Sequence, residues 1–389
     1  MINFCYDLLS TPGIGYPNLA KHNAVPYSTS WRQFDNHWPY TIPLRFLHYL
    51  YQYRIPYHVH SSLTAPPGSI YPISIGWFDF DCDYFSLIPN RTLKKIINKD
   101  IHVLFYYHEG DNPQRIIQRL ENLASAYNIG KECYTFVSAN SAAENYFPDH
   151  EFFFRYVNKN QAPVTVTDQD RKYDFTVLCR THKWWRATCM TDLLRQGLID
   201  NSLWSYNTNC TINDNFDDNP IEIDTINIRP DLDKFINQGP YKCDNLSEKD
   251  HNDHHQVNTD LYTNSYIQII LETHFDADQS NGTFLTEKTW KTIKFGQPFV
   301  IIGPSGSIRA LNDSGYKTFD QYIENSYDSI LDNTQRWSAV IDTVKKIKSD
   351  PKKVFHQCID DIIYNQKLFM SRGLEDLNRI IGKLNVKSN

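Results

Sequence analysis

Short apolar runs, each followed by an amphipathic segment, recur along most of this chain and restrict its fold more than any other feature. Ile101–Tyr107 is such a run. It is too short for a typical helix and lacks the polar alternation of a half-exposed strand, so it suits a parallel strand buried on both faces. Ser69–Trp77 reads as the strand before it, and Asn90 as the N-cap of a helix over Arg91–Asn98. Pro113 sits well in the first turn of a helix reaching about Tyr127, with Ile116, Ile117 and Leu120 on one face. Cys133–Val137 is another strand, followed by a helix from Ser141. A βαβαβ order predicts a parallel sheet with helices on both faces.

A polar stretch, Asn158–Lys172, interrupts the pattern and marks a domain boundary. The alternation then restarts. Asp174–Cys179 is a strand, Arg186–Gln196 a helix ending at Gly197, and Tyr266–Leu271 a strand. Thr286–Phe295 is a helix ending at Gly296, Pro298–Ile302 a strand, and Ser305–Ser314 a helix closed by Gly315. Gln335–Lys348 and Pro351–Lys367 are helices. The fold class expected is therefore α/β, with two Rossmann-like domains facing across a cleft. Residues 1–165 form the first domain, 166–350 the second, and 351–389 a helical tail that packs back across the cleft. Residues 201–262 and the first 65 show no clear period. In the latter, Tyr51, Tyr53, Tyr57, His58 and His60 line a surface or belong to an irregular set of strands.

Composition narrows the function. The 389 residues are enough for two or three domains, and the net charge of −6 does not suggest a broad nucleic-acid-binding face. Eight cysteines are spread along the chain with no C-x-x-C pair, which fits reduced thiols better than a disulfide framework or a zinc site. Met1–Ser10 lacks a basic run followed by an apolar stretch, and no apolar run approaches the roughly 20 residues that span a bilayer. A cytoplasmic protein with no membrane span is expected.

The strongest chemical signal lies between Tyr266 and Gly303. A strand reaches Glu272 and, after a loop, Thr286 can cap a helix whose first turn holds Glu287 and Lys288. Backbone N–H groups and the partial positive charge of a helix N-terminus attract phosphate, and Lys288 adds a full charge. Glu287 suits a ribose, since a carboxylate can accept from two vicinal hydroxyls. Capping alone also accounts for a Glu in a first helical turn. The longer pattern, Glu272, Thr286-Glu287-Lys288, Trp290, Gly296, Pro298, Val300 and Gly303, resembles the donor-binding segment of the alpha-1,3-fucosyltransferases. The resemblance covers about forty residues. It implies a GT-B-like fold, a ribose role for Glu287 and a phosphate role for Lys288, with Glu272 as a further aid to the ribose. The loop between Glu272 and Phe284 is longer and more polar than in that family, which leaves the sugar open.

A second signal is DFTVLCRTHKWWRAT at 174–188, where Arg180, His182, Lys183 and Arg186 follow a strand. Cations just past a strand's carboxyl end lie where open α/β sheets bind ligands, and they would stabilise a leaving diphosphate. Arg180 and Arg186 are the preferred pair; a solvated basic turn is the alternative. The segment also resembles the opening of the C-terminal domain in phage- and virus-encoded glycosyltransferases, continuing through Gly197–Asp200 to Ser205–Asn207.

A third signal, HVLFYYHEGDNP at 102–113, places Glu109 and Asp111 after a core strand. Inverting transfer needs a base for the acceptor hydroxyl. The segment resembles the region of the fucosyltransferases that carries the proposed base, which implies that role for Glu109 with Asp111 in reserve. A cap on the helix beginning near Pro113 is the structural alternative. Asp79, Asp81 and Asp83, the His251–His255 cluster and the Gly303–Gly306 turn offer metal or phosphate contacts in principle, but each fits an ordinary loop. No metal and no cofactor beyond a nucleotide-sugar donor, such as a UDP- or GDP-sugar, is expected. The acceptor is a glycan or, in a rival reading, hydroxymethylated pyrimidine in phage DNA, which would place the enzyme in the host cytoplasm. A non-catalytic nucleotide- or sugar-binding protein is the rival from another class. Neither G-x-S-x-G nor G-x-G-x-x-G occurs, which disfavours an α/β hydrolase or a dehydrogenase.

Overall fold

A computed structural model of the chain describes residues 2–6, 50, 53–75, 83–86, 88–107, 113–140, 151–152, 162–208, 219–222, 227–243, 257–276 and 282–387. The protein is α/β, with two sheets whose strands pair in parallel throughout. The chain divides into two compact units. Met1–Lys159, Ser280–Gly282 and Arg372–Asn389 form the first, and Asn160–Gln279 with Thr283–Ser371 the second.

In the first unit the elements are β1 (Ile2–Tyr6), β2 (Tyr57–Ser61), β3 (Ser69–Ile75), α1 (Asn90–Ile97), β4 (Ile101–Tyr107), α2 (Pro113–Ala126), β5 (Tyr134–Ser138) and β6 (Glu151–Phe152). They build a sheet of order β2-β1-β3-β4-β5-β6. β4 is buried along its whole length, and its side chains divide between two cores. Val103, Phe105 and Tyr107 pack with Leu93 and Ile96 of α1 and with Ile116, Ile117 and Leu120 of α2. Leu104 and Tyr106 belong to a second cluster, with Leu377, Ile380, Ile381 and Leu384 from the end of the chain. Successive strand side chains point to opposite faces, so a sheet covered on both sides favours a near-continuous apolar run.

Two local expectations shift. Asn90 is the first helical residue of α1, and Pro89 holds the N-cap position with φ −55° and ψ 142° and no side-chain cap bond. Proline's fixed φ suits that extended position, while its side chain offers no acceptor. Cys133 closes a short 3-10 turn, so β5 starts one residue later, at Tyr134. β1 and β2 arise in the stretch that showed no period. Their short parallel pairing, Ile2 to Tyr57 through Tyr6 to Ser61, joins segments far apart in sequence.

The second unit contains β7 (Tyr173–Cys179), α3 (Trp184–Arg195), β8 (Ser202–Tyr206), α4 (Arg229–Gln238), α5 (Asp260–Thr263), β9 (Ser265–Leu271), α6 (Glu287–Lys294), β10 (Phe299–Ile302), α7 (Ser307–Asp313), α8 (Asn333–Lys348), α9 (Pro351–Gln357) and α10 (Ile359–Lys387). Its sheet runs β10-β9-β7-β8. From β7 the chain goes to one side for β8 and to the other for β9 and β10. The strand order therefore reverses between β7 and β9, where open α/β sheets leave a crevice at the carboxyl ends of their strands. β8 and α4 fall within the region that gave no clear reading. β8 is an edge strand and only half-buried, which explains its weak apolar signal.

The helix expected over Pro351–Lys367 divides at Cys358 and then continues to Lys387. From Arg372 onward it groups with the first unit. Leu377, Ile380, Ile381 and Leu384 recur at i, i+3, i+4 and i+7, giving one apolar stripe for that unit's sheet. No helix among the described residues is long and apolar enough to cross a membrane.

Candidate functional site

The carboxyl ends of β7 and β9 gather most of the charged residues singled out in the second half of the chain. β9 ends at Leu271, and the next residue, Glu272, is fully buried. Its carboxylate accepts four hydrogen bonds. Oε1 takes the Thr286 N–H at 3.1 Å and the Thr289 hydroxyl at 2.6 Å. Oε2 takes the Thr286 hydroxyl at 2.6 Å and the Thr273 N–H at 3.1 Å. An ionised carboxylate has about four acceptor positions, so this one is saturated within the chain. Glu272 thereby fastens the start of α6 to the end of β9. Its carboxylate has no acceptor position left for a ribose in this arrangement.

Gly303 permits this packing. A Cβ there would stand 3.2 Å from the Glu272 Cβ and 3.3 Å from Ser307 Oγ, tighter than ordinary contact. At the other end of α6, Gly296 has φ +76°, and a Cβ would meet Val166 Cγ2 at 2.5 Å. Only glycine accepts both conditions without strain.

Thr286 is the N-cap of α6, as its place in the sequence predicts, and its hydroxyl accepts from the Lys288 N–H at 3.4 Å. The Lys288 ammonium lies over the same turn. It donates to Thr286 Oγ1 at 3.1 Å, Glu287 Oε1 at 3.1 Å and Thr273 Oγ1 at 3.4 Å. The Lys288 and Glu287 side chains are 25% and 33% exposed, so solvent or a ligand reaches both. A cation and a carboxylate at a helix N-terminus match the needs of a phosphate beside a sugar hydroxyl.

From the β7 side, Arg186 is buried in the first turn of α3. Its Nε donates to the Glu272 carbonyl at 2.9 Å, Nη2 donates to the same carbonyl, and Nη1 donates to the Thr181 carbonyl at 3.0 Å. The guanidinium cross-links the ends of β7 and β9. Arg180 is half-buried just past β7. Burial pushes the Tyr262 phenol above its ordinary pKa, while the charge of Arg180 opposes that shift and the charge of Glu287 adds to it. Arg180 and Glu287 thus share one electrostatic neighbourhood around Tyr262. His182 is buried and shares a 2.9 Å hydrogen bond with the Tyr206 hydroxyl through Nδ1. The Lys183 ammonium donates to the Thr273 carbonyl at 2.8 Å. The sequence placed Lys183 in this cluster but favoured the arginines. Thr273 and Thr289 went unnoticed, because nothing in their sequence context marks them.

Lys294, the last residue of α6, is almost wholly buried, and burial pushes its ammonium down to about 8. The folded chain therefore binds fewer protons here than the unfolded chain between about pH 8 and the ordinary lysine pKa near 10.4, so this group's contribution to stability rises with pH across that window. Replacing Lys294 by Met is expected to stabilise the protein most below about pH 8, with the advantage shrinking toward pH 10. Urea midpoints of both proteins across that range test this; an advantage independent of pH would contradict it.

The Gly303–Gly306 turn is occupied from within. Asp328 accepts the Ile308 and Arg309 N–H groups at 2.9 and 3.0 Å, filling the place at the start of α7 that a phosphate would take. Asp83 is similarly engaged, accepting from the Phe85 and Ser86 N–H groups and from the Tyr127 hydroxyl. Among the described residues no group of three or more His, Cys, Asp or Glu is placed to hold a metal ion. Glu109, Asp111, Asp79, Asp81 and the His251–His255 cluster lie outside the described residues. No protein-family model matches this chain, and no curated protein matches it.

Proposed function

We propose that the chain is a glycosyltransferase using a nucleoside-diphosphate sugar, with its second unit holding the donor and its first the acceptor in a GT-B-like arrangement. The observation that carries this reading is that partly exposed Glu287 and Lys288 open α6, whose N-terminus Glu272 fastens to the end of β9. In the proposed reaction the acceptor hydroxyl attacks the anomeric carbon as the bond to the diphosphate breaks. Glu109, with Asp111 in reserve, takes the acceptor proton. Lys288, Arg180 and the helix N-terminus stabilise the charge on the departing nucleoside diphosphate, and Glu287 accepts from the ribose. Glu272 and Arg186 act as positioning residues, since their polar atoms are committed to the frame. A single displacement of this kind inverts the anomeric centre. The acceptor is a hydroxyl on a glycan or on a modified pyrimidine of DNA, and only the second predicts a steep loss of activity with salt.

Thermal melting with a panel of nucleoside diphosphates and nucleotide sugars tests the reading. A ligand at 100 times its dissociation constant stabilises by about 2.7 kcal/mol. UDP, GDP or one of their sugars is expected to shift the wild type, and Lys288→Ala is expected to lose that shift. A wild type indifferent to every nucleotide at millimolar concentration would overturn the proposal.

A further inference from the structure

We infer that Lys183 and Lys288, which meet at Thr273, form a two-point grip for a diphosphate. The inference deepens the donor-site reading and rests on it. Lys183 sits at the N-cap of α3, past the end of β7, with extended backbone (φ −143°, ψ 141°). Lys288 lies in the first turn of α6. The two ammonium groups come from different elements and meet the same residue: Lys183 donates to the Thr273 carbonyl at 2.8 Å, and Lys288 to the Thr273 hydroxyl at 3.4 Å. Thr273 directly follows Glu272, whose side chain binds the Thr273 N–H and whose carbonyl binds Arg186. The residue that both lysines reach is therefore held by the most heavily bonded part of the crevice.

The division of labour among the cations follows from their partners. Arg186 directs Nε, Nη1 and Nη2 at main-chain carbonyls that tie β7 to β9. Moving it onto a ligand would dismantle the frame. Lys183 and Lys288 touch Thr273 through neutral oxygens, which are weaker acceptors than phosphate. Each is a compact charge on a flexible stem, and turning to a better acceptor costs Lys183 its Thr273 carbonyl contact where Arg186 would give up three such contacts. Two such charges meeting at one residue match two linked phosphoryl groups better than one. Lys288 gives up its contact with Glu287 as it turns, which releases that carboxylate toward the ribose.

Calorimetric titration of the full chain with UDP, UMP, GDP, GMP and inorganic pyrophosphate tests this, on wild type, Lys183→Met and Lys183→Arg. Lys183→Met is expected to weaken the preferred nucleoside diphosphate and pyrophosphate by about tenfold to a hundredfold, and to leave the matching monophosphate nearly unchanged. Lys183→Arg is expected to recover most of the loss. Equal weakening of mono- and diphosphate, or no weakening of either, would overturn the grip while the donor-site reading stands. Pyrophosphate binding that depends on Lys183, with no preference for any nucleotide, would keep the grip and remove the nucleotide reading. Binding of none of the five ligands by wild type would overturn both. If Lys183→Met melts before it can be titrated, Lys183→Gln retains a donor for the Thr273 carbonyl and takes its place.

Discussion

Glu272→Ala is expected to destabilise the second unit by about 4 kcal/mol or more and to remove the nucleotide response proposed for it. The substitution deletes one carboxylate but strands four donors: the N–H groups of Thr286 and Thr273 and the hydroxyls of Thr286 and Thr289. Each buried donor left without an acceptor costs about 1–3 kcal/mol, and none has an obvious substitute. The start of α6 loses its anchor to β9, so Lys288 and Glu287 lose their fixed position as well. Glu272→Gln separates the two effects. Its amide oxygen can still serve two donors, and the Thr286 hydroxyl can rotate to accept from its NH2 group, but the Thr273 N–H cannot reverse. An intermediate loss is expected. Urea unfolding gives the stability of all three proteins, and melting with the preferred nucleoside diphosphate gives the binding. A Glu272→Ala protein as stable as wild type would mean that water replaces the carboxylate and that the frame is held elsewhere.

The second large effect belongs to the other unit. The double substitution Leu377→Ala and Leu384→Ala is expected to cost about 4–10 kcal/mol, since large-to-small changes at buried leucines cost about 2–5 kcal/mol each. Both side chains are fully buried in the cluster that covers Leu104 and Tyr106 of β4. They share one cluster, so their effects couple and the combined cost need not equal the sum. A loss of that size approaches the whole stability of an ordinary domain. The first unit should then expose the uncovered face of its sheet, read as binding of a hydrophobic dye or as early proteolysis within residues 53–138. The second unit should keep the nucleotide response proposed for it. Wild-type proteolysis of the double variant would show that the end of α10 decorates the sheet without completing its core.

These two predictions also separate what was readable in the chain from what was not. The strands β3, β4, β5, β7, β9 and β10 are visible as largely apolar runs, because a strand covered on both faces holds few polar residues, and those, such as His102 and Thr176, are hydrogen-bonded. The capped start of α6 is visible too, since Thr286-Glu287-Lys288 is a local pattern and capping is a local interaction. The weaker elements are those whose burial comes from distant partners. β1 and β2 are joined across some fifty residues, and β8 is a half-exposed edge. The stripe Leu377, Ile380, Ile381 and Leu384 has helical spacing, yet spacing names a face without naming what covers it.

At the candidate site the same division holds residue by residue. Sequence put a cluster of cations after one strand and an acid, a cap and a lysine after another. It could not rank the cations, because rank depends on what each side chain already touches. Arg186 had the stronger chemistry for phosphate and is consumed by three carbonyl contacts. Lys183 had the weaker claim and reaches the residue beside Lys288. Glu272 looked like a ligand from its position and is a fastener by its hydrogen bonds. The residue types and local periodicity determined the α/β class, the central strands of both sheets and the chemistry available near Thr286. Only the tertiary structure decided the strand order that brings β7 beside β9, the destination of the last helix, and which charged groups are locked into the frame. Those outcomes depend on contacts between residues far apart in the chain, and local pattern carries no record of them.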